Sequence, residues 1–79
     1  MSKEYYKKLL VDLRYKIDKE KEAKKKDNDN YTRLIKGTSS SYNKAMYKRN
    51  KIDRAAQHDR RIAELKRDVE RTKDAIKRS

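Results

Sequence analysis

The only histidine in the chain, His58, is the first side chain to consider for acid–base or metal chemistry. The chain has no cysteine and no second histidine that could complete a metal site with it. The nearest acid, Asp59, is the next residue along, and successive side chains on a helix point about 100° apart. We therefore predict that His58 makes a local hydrogen bond or faces a partner, and that it is neither catalytic nor a metal ligand.

Other polar clusters also lack a complete chemical site. The run 27–30 (Asp-Asn-Asp-Asn) is similar to the opening of a calcium loop, but such a loop needs glycine at its sixth position and glutamate at its twelfth. Thr32 and Thr38 stand at those positions. The serines at 39–41 have no neighbouring base, and a single glycine cannot form a phosphate-binding loop. The sequence thus predicts no catalytic residue, no metal and no cofactor: the protein is expected to bind rather than to catalyse.

Positive charge is the strongest chemical signal. Lysine and arginine number 25 against 13 acidic residues, which gives a formal net charge of +12. Such side chains displace counterions from phosphates, and an exposed tyrosine such as Tyr42 or Tyr47 could stack on a base. Because acidic residues are interleaved along the whole chain, the sequence does not single out a purely basic face. The charge therefore fits either nucleic acid or an acidic protein surface.

The composition favours long helices. Proline is absent and glycine occurs once, while charged residues make up 48% and hydrophobic residues 33% of the 79 positions. A chain of this size forms one domain, 1–79, and cannot enclose a large core. Charge and low hydrophobicity also fit disorder, but the apolar periodicity described next argues against it.

The stretch around Gly37 predicts a turn between two helices. Gly37 follows Leu34, Ile35 and Lys36, and glycine ends helices by adopting the left-handed conformation at little cost. A serine at 39–41 can cap the second helix. We predict an all-α antiparallel helical hairpin with a helix at 3–36, a turn at 37–40 and a helix at 41–78.

An amphipathic stripe runs along the first helix. Tyr6, Leu10, Leu13 and Ile17 recur at helical spacing, and the same register then becomes polar before it turns apolar again near the turn. The four side chains at 27–30 compete with the helix for backbone hydrogen bonds, so a break in the helix at 27–30 is the alternative. We favour one continuous helix because the stripe keeps its register.

The second helix carries a coiled-coil seam. Ala55, Ile62, Val69 and Ile76 recur every seven residues, and the positions three further on hold His58, Leu65 and Thr72. Upstream, a looser apolar stripe continues to the turn through Tyr42, Ala45, Met46, Ile52 and Ala56.

Folding the helices together predicts three zones along a rod about 55 Å long. Tyr31, Leu34 and Ile35 meet Tyr42, Ala45 and Met46 at the turn end, and aliphatic residues of both helices meet at the open end. Between them lies a polar waist. We predict partner binding through two sets of residues. The apolar open end comprises Tyr5, Tyr6, Leu10 and Tyr15, and the basic waist comprises Lys19, Lys21, Lys24, Lys25, Lys26, Lys48, Arg49, Lys51, Arg54, Arg60 and Arg61.

Two helices can bury only one stripe each, so Tyr5, Val11, Tyr15 and Ile52 remain outside it and predict self-association or a hetero-complex. The leading hypothesis is an adaptor or inhibitor that docks on an acidic surface of a partner protein. The alternative is a sequence-nonspecific nucleic-acid binder. No apolar stretch is long enough for a signal peptide or a membrane span, so we expect a cytoplasmic protein without membrane contact.

Overall fold

The protein is an all-α helical hairpin. The computed structural model describes residues 2–79 and contains two helices, α1 (Lys3–Gly37) and α2 (Ser41–Arg78), joined by Thr38–Ser40. Its Cα atoms extend over 59 × 14 × 12 Å, which agrees with the predicted rod. The predicted fold class is therefore confirmed. Neither helix, within residues 2–79, is long and apolar enough to cross a membrane.

Serine hydroxyls begin both helices. Ser2 Oγ accepts a hydrogen bond from the Tyr5 amide at 3.4 Å, and Ser40 Oγ accepts one from the Asn43 amide at 3.2 Å. Each serine has an extended backbone conformation, as an N-cap residue requires. These bonds satisfy amides of the first helical turn that have no partner within the helix.

Gly37 does not act as predicted. It is the last residue of α1, and no glycine in the described chain has a positive φ. The chain leaves the helix at Thr38, whose φ of −103° and ψ of 139° are extended. Thr38 Oγ1 then accepts a hydrogen bond from the Ser40 amide at 3.2 Å. The three-residue connection, with Thr38 and Ser40 both extended, thus joins the helices without the left-handed glycine conformation.

The polar run at 27–30 lies inside an unbroken helix, as the favoured prediction has it. Asp27 is engaged across the hairpin, where its Oδ2 contacts His58 Nε2 at 2.6 Å. Thr32 Oγ1 donates to the Asn28 carbonyl at 2.8 Å. Because Asp27 is used in a contact between helices, its side chain does not compete for the backbone of α1.

The apolar core lies at the open end. Leu13 and Ile17 of α1 and Ile62 and Val69 of α2 are the buried hydrophobic residues, each with 6–8% of its surface exposed. Leu9, Leu10 and Leu65 pack against this cluster. The buried Thr72 donates its hydroxyl to the Asp68 carbonyl at 2.8 Å, so no polar atom is left unpaired there. The predicted open-end contact is confirmed.

The predicted apolar contact at the turn end is largely wrong. Leu34, Tyr42 and Met46 are 43%, 76% and 39% exposed, and Ala45 is exposed as well. Between the turn and Ala55, the half-buried residues of α2 are instead Asn43, Tyr47, Asn50 and Lys51. The predicted stripe followed apolar residues around the helix, whereas the facing side follows the 3.6-residue period and includes polar ones.

We predict that Gly37→Ala stabilises the protein. Gly37 is helical with negative φ, and a Cβ placed there meets nothing within 4 Å. Alanine is favoured over glycine in a helix by about 0.5–1 kcal/mol. The free energy of unfolding from urea denaturation should rise by up to that amount, and a decrease would mean that the glycine is left-handed after all.

We also predict that the thin core dominates stability. Ile17→Ala should lower the free energy of unfolding by about 2–4 kcal/mol, because it removes a buried side chain and leaves a cavity. Ile52→Ala is the matched control, since Ile52 is 69% exposed, and it should change stability by less than about 0.5 kcal/mol. Equal effects of the two substitutions in thermal or urea unfolding would contradict this description of the core.

Candidate functional site

The waist of the hairpin contains an ion cluster centred on His58. Its Nε2 lies 2.6 Å from Asp27 Oδ2 and its Nδ1 lies 3.1 Å from Glu20 Oε1, so one imidazole bridges two carboxylates of the opposite helix. Arg61 adds a second cation to Glu20, with 3.3 Å between Nη1 and Oε1. We call His58, Glu20 and Asp27 the histidine clamp.

The clamp is shielded from solvent to different degrees. The side chains of Glu20 and His58 are 11% and 13% exposed, and that of Asp27 is 30% exposed. Carboxylate oxygens only accept hydrogen bonds, so both ring nitrogens donate when the imidazole is protonated. The hydrogen bonds to Asp27 first, and then to Glu20, raise the pKa of His58 above 6.5 and outweigh the opposing effect of burial. The folded protein therefore favours the charged imidazolium.

The sequence places His58 in the seam of the second helix but does not join it to Glu20 and Asp27. These two acids lie in the polar middle of the first helix's stripe. The prediction compared His58 only with its neighbour Asp59, which in fact pairs with Lys24 across the hairpin at 2.7 Å. Pairing the seam residues of the two helices that lie at the same distance from the turn could have placed these acids near His58.

The cluster has the form of a structural contact. Its carboxylates are engaged by His58 and Arg61, and among residues 2–79 no hydroxyl forms a hydrogen bond with the imidazole as a nucleophile would. Among residues 2–79, no group of three or more histidine, cysteine or acidic side chains is arranged to hold a metal ion. What the clamp can do is fix the height at which the two helices meet.

The predicted basic waist does not form one continuous surface. Lys24 and Lys51 reach across to the opposite helix, where they contact Asp59 at 2.7 Å and Thr32 at 3.0 Å. Lys19 pairs with Glu22 at 3.6 Å and lies 5.4 Å from the centroid of the Tyr15 ring. Arg61 pairs with Glu20, as described above. The other predicted members are exposed around both helices, at Lys21, Lys25, Lys26, Lys48, Arg49, Arg54 and Arg60.

The seam divides the surface of the rod into two lateral faces. The seam positions are the residues of each helix that face the other helix. Successive residues on a helix are rotated by about 100°, so the residue after a seam position lies on one side of the rod and the residue before it lies on the other. In an antiparallel pair, the following residues of both helices share a side. Lys24 reaches Asp59, which follows His58, whereas Glu20 reaches Arg61, which precedes Ile62. These contacts mark the two opposite sides.

The side formed by the residues that follow seam positions is strongly basic, and we call it the lysine face. Its acidic residues are Asp18, Asp59 and Glu70, of which Asp59 pairs with Lys24 and Glu70 with Lys73. Its cations are exposed except for the half-exposed Lys73. They are Lys7, Arg14, Lys21, Lys25 and Lys36 on α1 and Lys44, Lys48, Lys66, Lys73 and Lys77 on α2.

The opposite side, which we call the mixed face, carries both charges and several apolar residues. Its acids balance most of its cations once Glu20 is included, since Arg61 contacts Glu20 from this side. The mixed face comprises Tyr5, Leu9, Asp12, Lys16, Lys19, Ala23, Lys26, Asn30 and Leu34 on α1, and Tyr42, Met46, Asn50, Arg54, Gln57, Arg61, Glu64, Asp68, Arg71 and Ala75 on α2.

The four residues of the predicted apolar open end differ in their exposure to solvent. Tyr5 and Tyr15 are 50% and 59% exposed, while Tyr6 and Leu10 are half-buried. The rings of Tyr5 and Tyr6 meet edge to face, with 5.4 Å between centroids. Only Tyr5 and Tyr15 therefore offer a large aromatic surface to a partner.

We predict that the histidine clamp makes stability depend on pH. Below about pH 6.5 the histidine is protonated in both the folded and the unfolded chain, so the clamp contributes fully. As the pH rises through the raised pKa of folded His58, the proton is lost and this contribution disappears. The free energy of unfolding should therefore fall as the pH rises from about 6.5 toward the range in which tyrosine and lysine ionise.

The control for this prediction is His58→Gln, which cannot titrate. Its stability should be flat over the same range, below the pH at which tyrosine and lysine begin to ionise. Thermal unfolding followed by circular dichroism provides the measurement. An equal fall in the variant would show that groups other than His58 cause the pH dependence.

Comparison with known proteins finds no matching family model, no similar curated protein and no similar solved structure. Any statement about function therefore depends on the geometry of the hairpin itself.

Proposed function

We propose that the protein is a non-enzymatic binding protein whose lysine face binds the phosphate backbone of nucleic acid without sequence preference. The observation that carries this proposal is the separation of charge between the two faces. Cations follow the seam along both helices of a rod 59 Å long, and few acids share their side. A polyanion lying along that side would release counterions from its phosphates and relieve the repulsion among the lysines.

The composition of the lysine face supports phosphate as its target. Protein interfaces are depleted in lysine and enriched in arginine and aromatic residues. The lysine face has one arginine, Arg14, and no tyrosine. Lysine binds phosphate as a point charge and needs no fixed planar geometry, which suits binding without sequence preference.

Base stacking has little support on this surface. Tyr47, which the sequence suggested for stacking, is half-buried at the seam, and the exposed Tyr42 lies on the mixed face. Contacts to the backbone of a duplex therefore fit better than contacts to unpaired bases.

The sequence alone favoured an acidic protein surface because its acids are interleaved with its cations. Interleaving along a helix still separates charges in space, since residues three or four apart share a side and adjacent residues do not. A partner protein remains the second candidate, because the exposed Tyr5 and Tyr15 at the open end are residues that protein interfaces favour. The two candidates use different parts of the surface.

We predict a steep salt dependence for binding to unrelated 20-base-pair duplexes. The logarithm of the affinity should fall against the logarithm of salt with a slope of about 0.9 per phosphate neutralised, and it should differ little between sequences. Replacing Lys21, Lys48 and Lys66 with glutamine should lower the slope by about one per lysine. Fluorescence anisotropy at four salt concentrations gives both quantities.

The matched control replaces Lys26, Arg60 and Arg67 with glutamine, which changes the net charge equally but away from the lysine face. This control should keep most of the slope. Equal losses in both variants would overturn the assignment to the lysine face. If a tagged protein captures one stoichiometric protein that resists nuclease treatment, and the purified chain does not bind duplex, the second candidate replaces the first.

A further inference from the structure

We infer that the mixed face is the interface for a second copy of this chain, so that two hairpins form a four-helix bundle with their lysine faces outward. The inference concerns the side opposite the proposed nucleic-acid surface and does not rest on that function. A single hairpin has only a small hydrophobic core. Four hydrophobic side chains are buried, and no side chain of the described residues is less than 2% exposed.

The exposed apolar residues lie mainly on the mixed face. Tyr5 at the open end and Leu34, Tyr42 and Met46 near the turn have 39–76% of their surfaces exposed there, and the half-buried Leu9 lies one turn from Tyr5. The lysine face exposes only Val11 and Ile52 among its large apolar residues. Covering the mixed face therefore removes more apolar surface from water than covering the other side.

Grooves between the helices open on the same side. One is lined by Lys16, Lys19, Arg61 and Leu65 together with Tyr15 and Glu20. A second, nearer the turn, is lined by Tyr31, Asn50, Asp53, Arg54 and Gln57. Side chains from another helical pair can enter such grooves, as they do in knobs-into-holes packing.

Charge selects a second copy as the occupant. Two lysine faces would repel each other, whereas two mixed faces present acids and arginines to one another. The arginines Arg54, Arg61 and Arg71 lie on the mixed face, and arginine is the cation that protein interfaces favour. The two faces thus differ in the way expected of a self-complementary interface and an outward polyanion surface.

The dimensions of the rod fit a stable dimer. A contact along Cα extents of 59 and 14 Å covers on the order of 800 Å² per copy, which is the area of a standard interface. A symmetric contact of this kind joins the same face of both chains and closes on itself. Two hairpins then form a finite bundle and leave one lysine face on each outer side.

The full chain should be a dimer of two 9.6 kDa subunits in sedimentation equilibrium. Tyr5→Glu combined with Met46→Glu alters exposed positions of the mixed face and should raise the dissociation constant at least about tenfold, as losing a contact of 1.4 kcal/mol does. Val11→Glu combined with Ile52→Glu adds the same charge to the lysine face and should leave it nearly unchanged. A monomer at all concentrations, or equal weakening by both pairs, would overturn the inference.

A second measurement does not depend on the folding of those variants. The chain has no cysteine, so a single cysteine at Gln57 on the mixed face or at Ala63 on the lysine face reports on its own surroundings. A short bis-maleimide should join two copies through position 57 and not through position 63. Cross-linking at 63, or at neither position, would refute the mixed-face dimer.

Discussion

Two helices packed together can bury only one stripe of each, and the rest of this structure follows from that limit. The buried stripe is apolar only at the open end, where Leu13 and Ile17 meet Ile62 and Val69. Toward the turn the facing positions become polar or half-buried. The hydrophobic effect therefore holds one end of the rod, and hydrogen bonds and ion pairs hold the rest.

The histidine clamp is the principal contact in the polar part. A purely apolar seam tolerates slippage by a turn, because one aliphatic side chain can replace another. His58 can contact Glu20 and Asp27 together at one height only. Like a polar residue in a coiled-coil seam, it selects the register, and it brings with it a dependence on protonation.

Once the register is fixed, the distribution of charge over the surface is fixed as well. Residues such as Lys21 and Lys66 come to one side because each follows a seam position, although they are far apart in the chain. Arg61 comes to the other side because it precedes one, and it contacts Glu20 there. The same pairing that forms the core thus creates a basic face and a mixed face. The proposed duplex contact and the inferred dimer contact use these two faces separately.

The sequence by itself determined the helices, their ends within about a residue and the apolar open-end core, because these depend on local propensity, serine caps and seven-residue periodicity. It failed at Gly37, because an extended Thr38 ends the helix without a left-handed glycine. The sequence-based prediction also failed at Met46 and Tyr42, because these apolar side chains are exposed and do not face the first helix. Only the tertiary structure decided which acids meet His58 and which side each lysine occupies. Both depend on the height and side at which one helix packs on the other, and the pattern of either helix taken alone does not contain that information.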